Sequence, residues 1–292
     1  MKNSESLKKL VQEKYSEIAS QENASCCGSQ DGNDSVYHMM TDDYAQIEGY
    51  QASADLGLGC GLPTQFAKIQ KGDTVIDLGS GAGNDCFVAR HETGESGKVI
   101  GIDFTAAMIR KARVNAEKLG LNNVEFRQGD IEDMPVSDNL ADVIVSNCVL
   151  NLVPDKQKVI GEIYRCLKPG GHFSISDIVL VGDLPEALKT DAEMYAGCVS
   201  GAIQKNDYLT YIQKAGFIDI AIQKEKPVTL PDSILDRYMD SDQKADFKSG
   251  ETGIFSITVF ARKPGIKPLK SLNHAIGDQS NSCSPGAASG CC

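Results

Sequence analysis

The chain has 292 residues, long enough to bury one substantial core with a smaller addition. Its 29 Lys and Arg against 40 Asp and Glu leave a formal charge of −11, which gives nucleic-acid phosphates and anionic membranes little electrostatic reason to bind and favours a small-molecule partner. Ten cysteines without a secretory signal point away from a disulfide scaffold and towards metal binding, redox work or catalysis.

The opening stretch MKNSESLKKLVQEKYSEIAS lacks the continuous apolar core of a signal, and no later stretch approaches the roughly 20 apolar residues that span a bilayer. A soluble, cytoplasmic protein is expected, with neither nucleic acid nor membrane as partner. Leu7, Leu10, Val11, Tyr15 and Ile18 recur near helical spacing over residues 5–19. The turn-forming SQENASCCGSQDGNDS then breaks the pattern, so residues 1–40 read as a helix followed by a loop bearing Cys26 and Cys27.

Residues 41–182 form the next unit. From about residue 72 the chain alternates: strand TVIDLG, a helix from Asn84, strand KVIGID, a helix over 105–119, strand NVEFRQ, then strand ADVIVSN. A helix around 155–166, a tight turn LKPGG and a strand HFSISDIVL continue the series. Apolar strands separated by helices predict an α/β fold: a Rossmann-like, mostly parallel sheet with helices on both faces.

A smaller C-terminal α+β portion is expected over 183–263, with a helical look over 185–215, strands at IDIAIQ and IFSITVFAR, and polar 230s and 240s without clear periodicity. Residues 264–292, rich in Gly, Ser, Pro and Asn and ending in Cys283, Cys291 and Cys292, hold too little apolar surface to fold alone and read as a flexible tail.

VIDLGSGAG places Gly79, Gly81 and Gly83 directly after a strand and before a helix, where missing side chains let a ligand approach the backbone. Asp103 ends the second strand about 20 residues on, where a carboxylate can accept both ribose hydroxyls of an adenosine. Asp130 follows the third strand, placed to take an adenine amino group while Phe104, Met108 and Ile131 flank the ring. A nicotinamide dinucleotide loop would set its third glycine one position later, and Asp77 two residues ahead of the loop also departs from that pattern.

Asp77-x-Gly79-x-Gly81-x-Gly83, Asp103 and Gly129-Asp130-Ile131 together resemble the class I methyltransferases that use S-adenosylmethionine. The resemblance implies that Asp77, Gly79, Ser80 and Gly81 surround the amino-acid portion of that cofactor, Asp103 its ribose, and Asp130 with Ile131 its adenine. Asn147, at the end of the fourth strand, is counted with the cofactor residues.

Many methyl acceptors need a base to remove a proton, yet none of His38, His91, His172 and His274 falls at the expected mouth. Cysteines do. Cys60 lies in the Gly-rich LGLGCGLP before the first strand, Cys148 follows the fourth strand, and Cys198 sits in MYAGCVSGA after the fifth. They match no local zinc pattern, but all three can converge above the carboxyl edge of the sheet, where soft thiolates would select a thiophilic ion. Buried cysteine is commonly core filler, the reading given to Cys86 and Cys166 on apolar helix faces.

EKYSEIA, SCCG, DLGLGCGLP, DLGSGAGNDCFVA, GIDFTAAMI, SNCVLNLVPDK, LKPGGHFSISDIV and GCVSGAI, in this order over about residues 10–220, closely resemble the arsenite methyltransferases. The resemblance implies that Cys148 and Cys198 bind arsenic(III), that Cys60 is a third thiol, and that Cys26 or Cys27 pairs with Cys60 during redox steps. It implies arsenite or its thiol conjugates as substrate, a small thiol reductant, and a thiol reductase system as a further partner. Arsenic held by three sulfurs is pyramidal, keeps a lone pair for attack on a methyl carbon, and carries no proton that must leave first, so histidine is not needed. Two rival readings stand beside this one: a methyltransferase of a small organic carbon or oxygen acceptor, and a thiol-rich metalloid-sequestering protein.

Overall fold

A computed structural model describes residues 4–20, 44, 46–183, 185, 199, 201–230, 232–249 and 253–265. Its elements run α1 (Ser4–Ser20), α2 (Pro63–Phe66), β1 (Thr74–Leu78), α3 (Asn84–Thr93), β2 (Lys98–Asp103), α4 (Ala106–Lys118), β3 (Val124–Gln128) and β4 (Ala141–Asn147). They continue through α5 (Lys156–Cys166), β5 (Leu167–Val181), β6 (Ile203–Gln204), α6 (Lys205–Lys214), β7 (Ile218–Val228), α7 (Asp232–Leu235), α8 (Ser241–Ser249) and β8 (Gly253–Arg262).

The strands form one sheet in the order β3-β2-β1-β4-β5-β8-β7, with the short β6 pairing β5 beyond that path. Pairing is parallel from β3 through β5; β8 enters antiparallel between β5 and β7. Successive side chains of a strand point to opposite faces. Ile76, Leu78, Ile100, Ile102 and Ile144 accordingly join the face covered by α5 and α6, whereas Val75, Val99, Val143 and Val145 join the face covered by α3 and α4. Both sets are buried, which is why these strands read as continuous apolar runs.

Helix α5 starts where Asp155 caps it, its carboxylate accepting the Lys158 N–H at 3.0 Å. Pro227 is tolerated because β7 is an edge strand. The expected turn at LKPGG is instead continuous with β5, which runs from Leu167; the bend is absorbed as a register shift against β4 between Ala141 and Val143, with Gly170 at φ +86°. The helical reading of 185–215 holds only for its last third, since Ile203 and Gln204 pair with β5 and most of 185–202 lies outside the described residues. The polar 230s and 240s form the two short helices α7 and α8.

A third apolar cluster sits at the carboxyl edge and unites Val11 of α1, Cys60, Cys148, Ile178 and Leu180 of β5, and Ile254 of β8. No helix of the described residues is long and apolar enough to cross a membrane.

Candidate functional site

The strand order reverses at β1, whose neighbours are β2 and β4, and a cleft opens at the carboxyl ends of these strands, the usual ligand position in a doubly wound sheet. Its floor is the turn after β1. Gly79 has φ +66°, and a Cβ there would come within 2.4 Å of Val149 Cγ2. Gly81 has φ +51° with nothing within 4 Å of where its Cβ would stand, so this position faces the open cleft. The turn is tied across to β2: the Gly81 N–H donates to Asp103 Oδ2 at 3.0 Å, and Asp103 Oδ1 accepts the Thr105 N–H at 2.8 Å.

Asp77, Ser80, Asp103, Phe104, Met108 and Ile131 all line the cleft, as do Asp130 and Asn147. Burial raises the Asp77 carboxyl well above the ordinary range, and the charge of Asp85 adds to it. Burial also pushes Asp85 up to about 6, against the downward pull of hydrogen bonds from Tyr44 and Asn147, and raises Asp103 despite its backbone donors. Three buried carboxyls around one opening favour a cationic ligand. Ser80 Oγ, buried without a hydrogen-bond partner, is an atom such a ligand would satisfy. The residues therefore fit S-adenosylmethionine, with its sulfonium and ammonium charges.

Two residues lining the cleft escape sequence reading. Lys8 of α1 reaches Asp130 Oδ2 at 2.6 Å and also pairs with Glu132, so the N-terminal helix is pinned across the cleft. Tyr44 donates its hydroxyl to Asp85 Oδ1 at 2.9 Å and is buried. Neither residue stands in a recognisable motif.

The thiols lie at the other side of the opening. Glycines flank Cys60 because its loop lies against the strand ends: a Cβ on Gly59 would come within 2.6 Å of Asn147 Nδ2, and one on Gly61 within 2.5 Å of Ser176 Oγ. Asn147 clamps this loop. Its Oδ1 accepts the Cys60 N–H at 2.9 Å and its Nδ2 donates to the Gly61 carbonyl at 2.8 Å. The Cys60 carbonyl accepts from Ser256 Oγ of β8.

Cys148, directly after β4, adopts the left-handed region at φ +60°, an uncommon conformation for a non-glycine residue. Its N–H donates to the Ser176 carbonyl at 2.8 Å, and the residue lines the cleft. Cys60 and Cys148 are 1% and 3% exposed, so a group bound between them would be shielded from water. Their Sγ atoms and a carboxylate oxygen of Asp177 all lie within 4.8 Å of one another.

Asp177 lies within β5 just past the level where β4 ends; an acid interrupting the apolar SISDIVL is the one signal its sequence carries, and it does not say what the acid meets. Asn151 Nδ2 and the Ile178 N–H donate to its Oδ1 at 2.8 and 2.9 Å. Its Oδ2 has no hydrogen-bond partner. Burial pushes its carboxyl up to about 7.

The structure thus brings together two of the three expected thiols, Cys60 and Cys148. Cys198, Cys26 and Cys27 lie outside the described residues, as do the tail cysteines. Cys86 and Cys166 are wholly buried in α3 and α5, and Cys86 also donates its thiol to Asp77 Oδ2 at 3.2 Å. Of the histidines, His91 lies in the last turn of α3 and His172 contacts the Ala67 carbonyl near the start of β5, both away from the thiols. His38 and His274 are outside the described residues.

Residues 69–216 match the methyltransferase-domain family. An arsenite methyltransferase of Halobacterium salinarum is 40% identical over 275 residues, covering 89% of this chain and 67% of its own length. An arsenite methyltransferase of Aquipseudomonas alcaligenes is 41% identical over 184 residues, 61% of this chain and 53% of its own. Among solved structures, an arsenic(III) S-adenosylmethionine methyltransferase from Chlamydomonas reinhardtii superposes with a TM-score of 0.60 at 31% identity, over 79% of this chain and 74% of that one. The chain spans two thirds of the haloarchaeal relative and about half of the other curated arsenite methyltransferases it matches. With this identity carried over most of its length, on a sheet of the same class, the chain belongs to the arsenite methyltransferases.

Proposed function

We propose that the protein moves a methyl group from S-adenosylmethionine to thiol-bound arsenic(III), a detoxifying reaction. The observation that carries this reading is the meeting of the Cys60 and Cys148 sulfurs beside a cleft that Cys148 itself lines. When bound, the cofactor supplies a methyl group already activated by its sulfonium.

The chain's own residues do the rest by holding and orienting. Asp77, Gly79, Ser80 and Gly81 hold the amino-acid end of the cofactor, Asp103 its ribose, and Asp130 with Ile131 its adenine, between Phe104 and Met108. Asn147 acts on the substrate side as a positioning residue, because its amide fixes the Cys60 loop. Cys60, Cys148 and Cys198 hold arsenic(III) with its lone pair directed at the donor. Most of the acceleration then comes from alignment of donor and acceptor in a site that excludes water.

The thiols give up their protons as arsenic(III) binds, and these leave with the displaced hydroxide as water or with the displaced thiol of a conjugate. Attack by the arsenic lone pair on the methyl carbon leaves the methylated arsenic pentavalent; two electrons from Cys60 and Cys26 or Cys27 return it to the trivalent state as those two thiols join in a disulfide, and a small thiol, renewed by a thiol reductase system, reduces that disulfide. Arsenite or its thiol conjugates are the substrates, and the cytoplasm is the compartment that keeps such thiols reduced.

The test is release of S-adenosylhomocysteine with and without arsenite, in the presence of a small thiol. Arsenite-dependent release is expected from the wild type and its loss from Cys148→Ser and Cys198→Ser, with donor binding retained in both. Turnover by both variants would overturn the assignment and favour an organic acceptor.

A further inference from the structure

We propose that Cys60, Cys148 and Asp177 form a two-sulfur, one-oxygen site for a borderline divalent cation of the zinc class. Its donor set differs from that of a three-thiol metalloid site: it uses the Asp177 carboxylate and does not need Cys198.

The three donor atoms lie within 4.8 Å of one another. A tetrahedral zinc ion, bonded at about 2.3 Å to sulfur and 2.0 to 2.2 Å to oxygen, sets its donors roughly 3.5 to 3.8 Å apart. Side-chain rotation of about 1 Å therefore suffices to close the set around an ion. All three residues are buried, so the ion would be shielded on the protein side and reached from the cleft that Cys148 lines.

Asp177 is the independent observation. It is 0% exposed, one of its oxygens is held by Asn151 and the Ile178 N–H, and the other has no hydrogen-bond partner. A buried carboxylate oxygen without a donor is costly, and either a proton or a bound cation removes the cost. Nearby Tyr208 meets it only in part: neither its hydroxyl nor Asp177 Oδ2 is placed for a full hydrogen bond, although the two groups act on one another, Tyr208 drawing the carboxyl down and Asp177 holding the phenol, already raised by burial, further above the usual value. The Lys156 ammonium, which donates to the Val153 carbonyl, also draws the Asp177 carboxyl down by its charge, and burial still outweighs that pull.

The donor types select the ion. Two thiolates exclude magnesium and calcium, which take oxygen ligands, while two sulfurs with one carboxylate suit zinc, with water in the fourth position. The outer shell is present as well: Asn151 and the Ile178 N–H orient the carboxylate, and Asn147 fixes the Cys60 backbone. On binding, the thiol protons pass to solvent. Because the site shares two thiols with the arsenic site, zinc and arsenite exclude one another; this competition, though not the zinc site itself, rests on the proposed function.

The experiment uses the reduced, metal-stripped full-length chain with Cys26, Cys27, Cys283, Cys291 and Cys292 each replaced by Ser, titrated with cobalt(II) and then zinc(II). The expected result is thiolate-to-cobalt charge-transfer absorption with tetrahedral ligand-field bands, bleached by one equivalent of zinc. Asp177→Asn should weaken zinc binding on the order of tenfold or more, as loss of a ligand does, while Cys198→Ser leaves it unchanged. Zinc-edge X-ray absorption of the unsubstituted donor set should show two sulfur and two light-atom neighbours, a result that does not depend on any variant folding. Three or more sulfurs, wild-type affinity in a folded Asp177→Asn, loss of binding in Cys198→Ser, or no charge-transfer band would each overturn the proposal. Arsenite-dependent S-adenosylhomocysteine release, measured separately on zinc-free wild type, tells failure of this site from failure of the methyltransferase reading.

Discussion

Asp177 holds its proton more tightly in the folded chain than an ordinary aspartate does, because burial pushes its carboxyl up to about 7. Such a group contributes stability that is complete below its unfolded value near 4 and is lost as pH rises through the folded value. In chelator-treated buffer, Asp177→Asn should therefore gain stability relative to wild type as pH goes from 4 to 8, by on the order of 1 to 3 kcal/mol, read from urea midpoints. A difference that stays flat with pH would show that Asp177 does not titrate in this range. Asn147→Ala should cost about 1 to 3 kcal/mol by leaving the Cys60 N–H without its acceptor, and should lower arsenite-dependent kcat more than it raises the KM for the cofactor. Equal effects on both would make Asn147 a cofactor ligand first. At this scale the sequence exposed residues whose value depends on local position: Gly79 and Gly81 in a strand-to-helix turn, and Asp103 at a strand end. Asp177 was hidden because only its spatial neighbours distinguish it from any other residue of an apolar strand, and Tyr44 for the same reason.

Helix α1 was legible as an amphipathic segment, and its buried Val11 is the expected consequence. Its work was not legible, because one lysine among several on a polar face says nothing about which carboxylates it meets. Lys8 ties the helix to Asp130 and Glu132 at the cleft that Lys8 and Asp130 line. Part-exposed ion pairs contribute about 1 kcal/mol or less and are weakened by salt. Lys8→Ala should therefore speed S-adenosylhomocysteine release several-fold in stopped-flow measurements, and added salt should speed release from wild type but much less from the variant. Equal salt responses would detach Lys8 from cofactor retention. The five parallel strands were readable from apolar runs between helices, whereas LKPGG misled because Pro and Gly signal a turn equally well when a strand absorbs them as a bulge. The short β6 pairs through two residues, too few to leave a pattern.

The whole sheet depends on its last strand. β8 lies between β5 and β7 with ten residues in register against β5, although it falls outside the segment that matches the methyltransferase-domain family. A chain ending at residue 216 should expose the β5 edge with Ile175 and Val179, which pack in one cluster with Ile257 of the lost β8, and should lose cooperative thermal unfolding in calorimetry. A sharp transition in that fragment would show that the first five strands suffice. Sequence composition favoured a small-molecule partner for an acidic chain, but it could not reveal that β8 inserts between β5 and β7, since that is a matter of topology and not of local pattern.

Ser256, on this late strand, is one of the residues that hold the backbone of Cys60, nearly two hundred positions earlier. During synthesis the ribosome must therefore release almost the entire described chain before the Cys60 loop gains that anchor and settles against Cys148. Until residue 256 has emerged, a nascent polypeptide lacks that hold on Cys60, so the pairing of its sulfurs is fixed late.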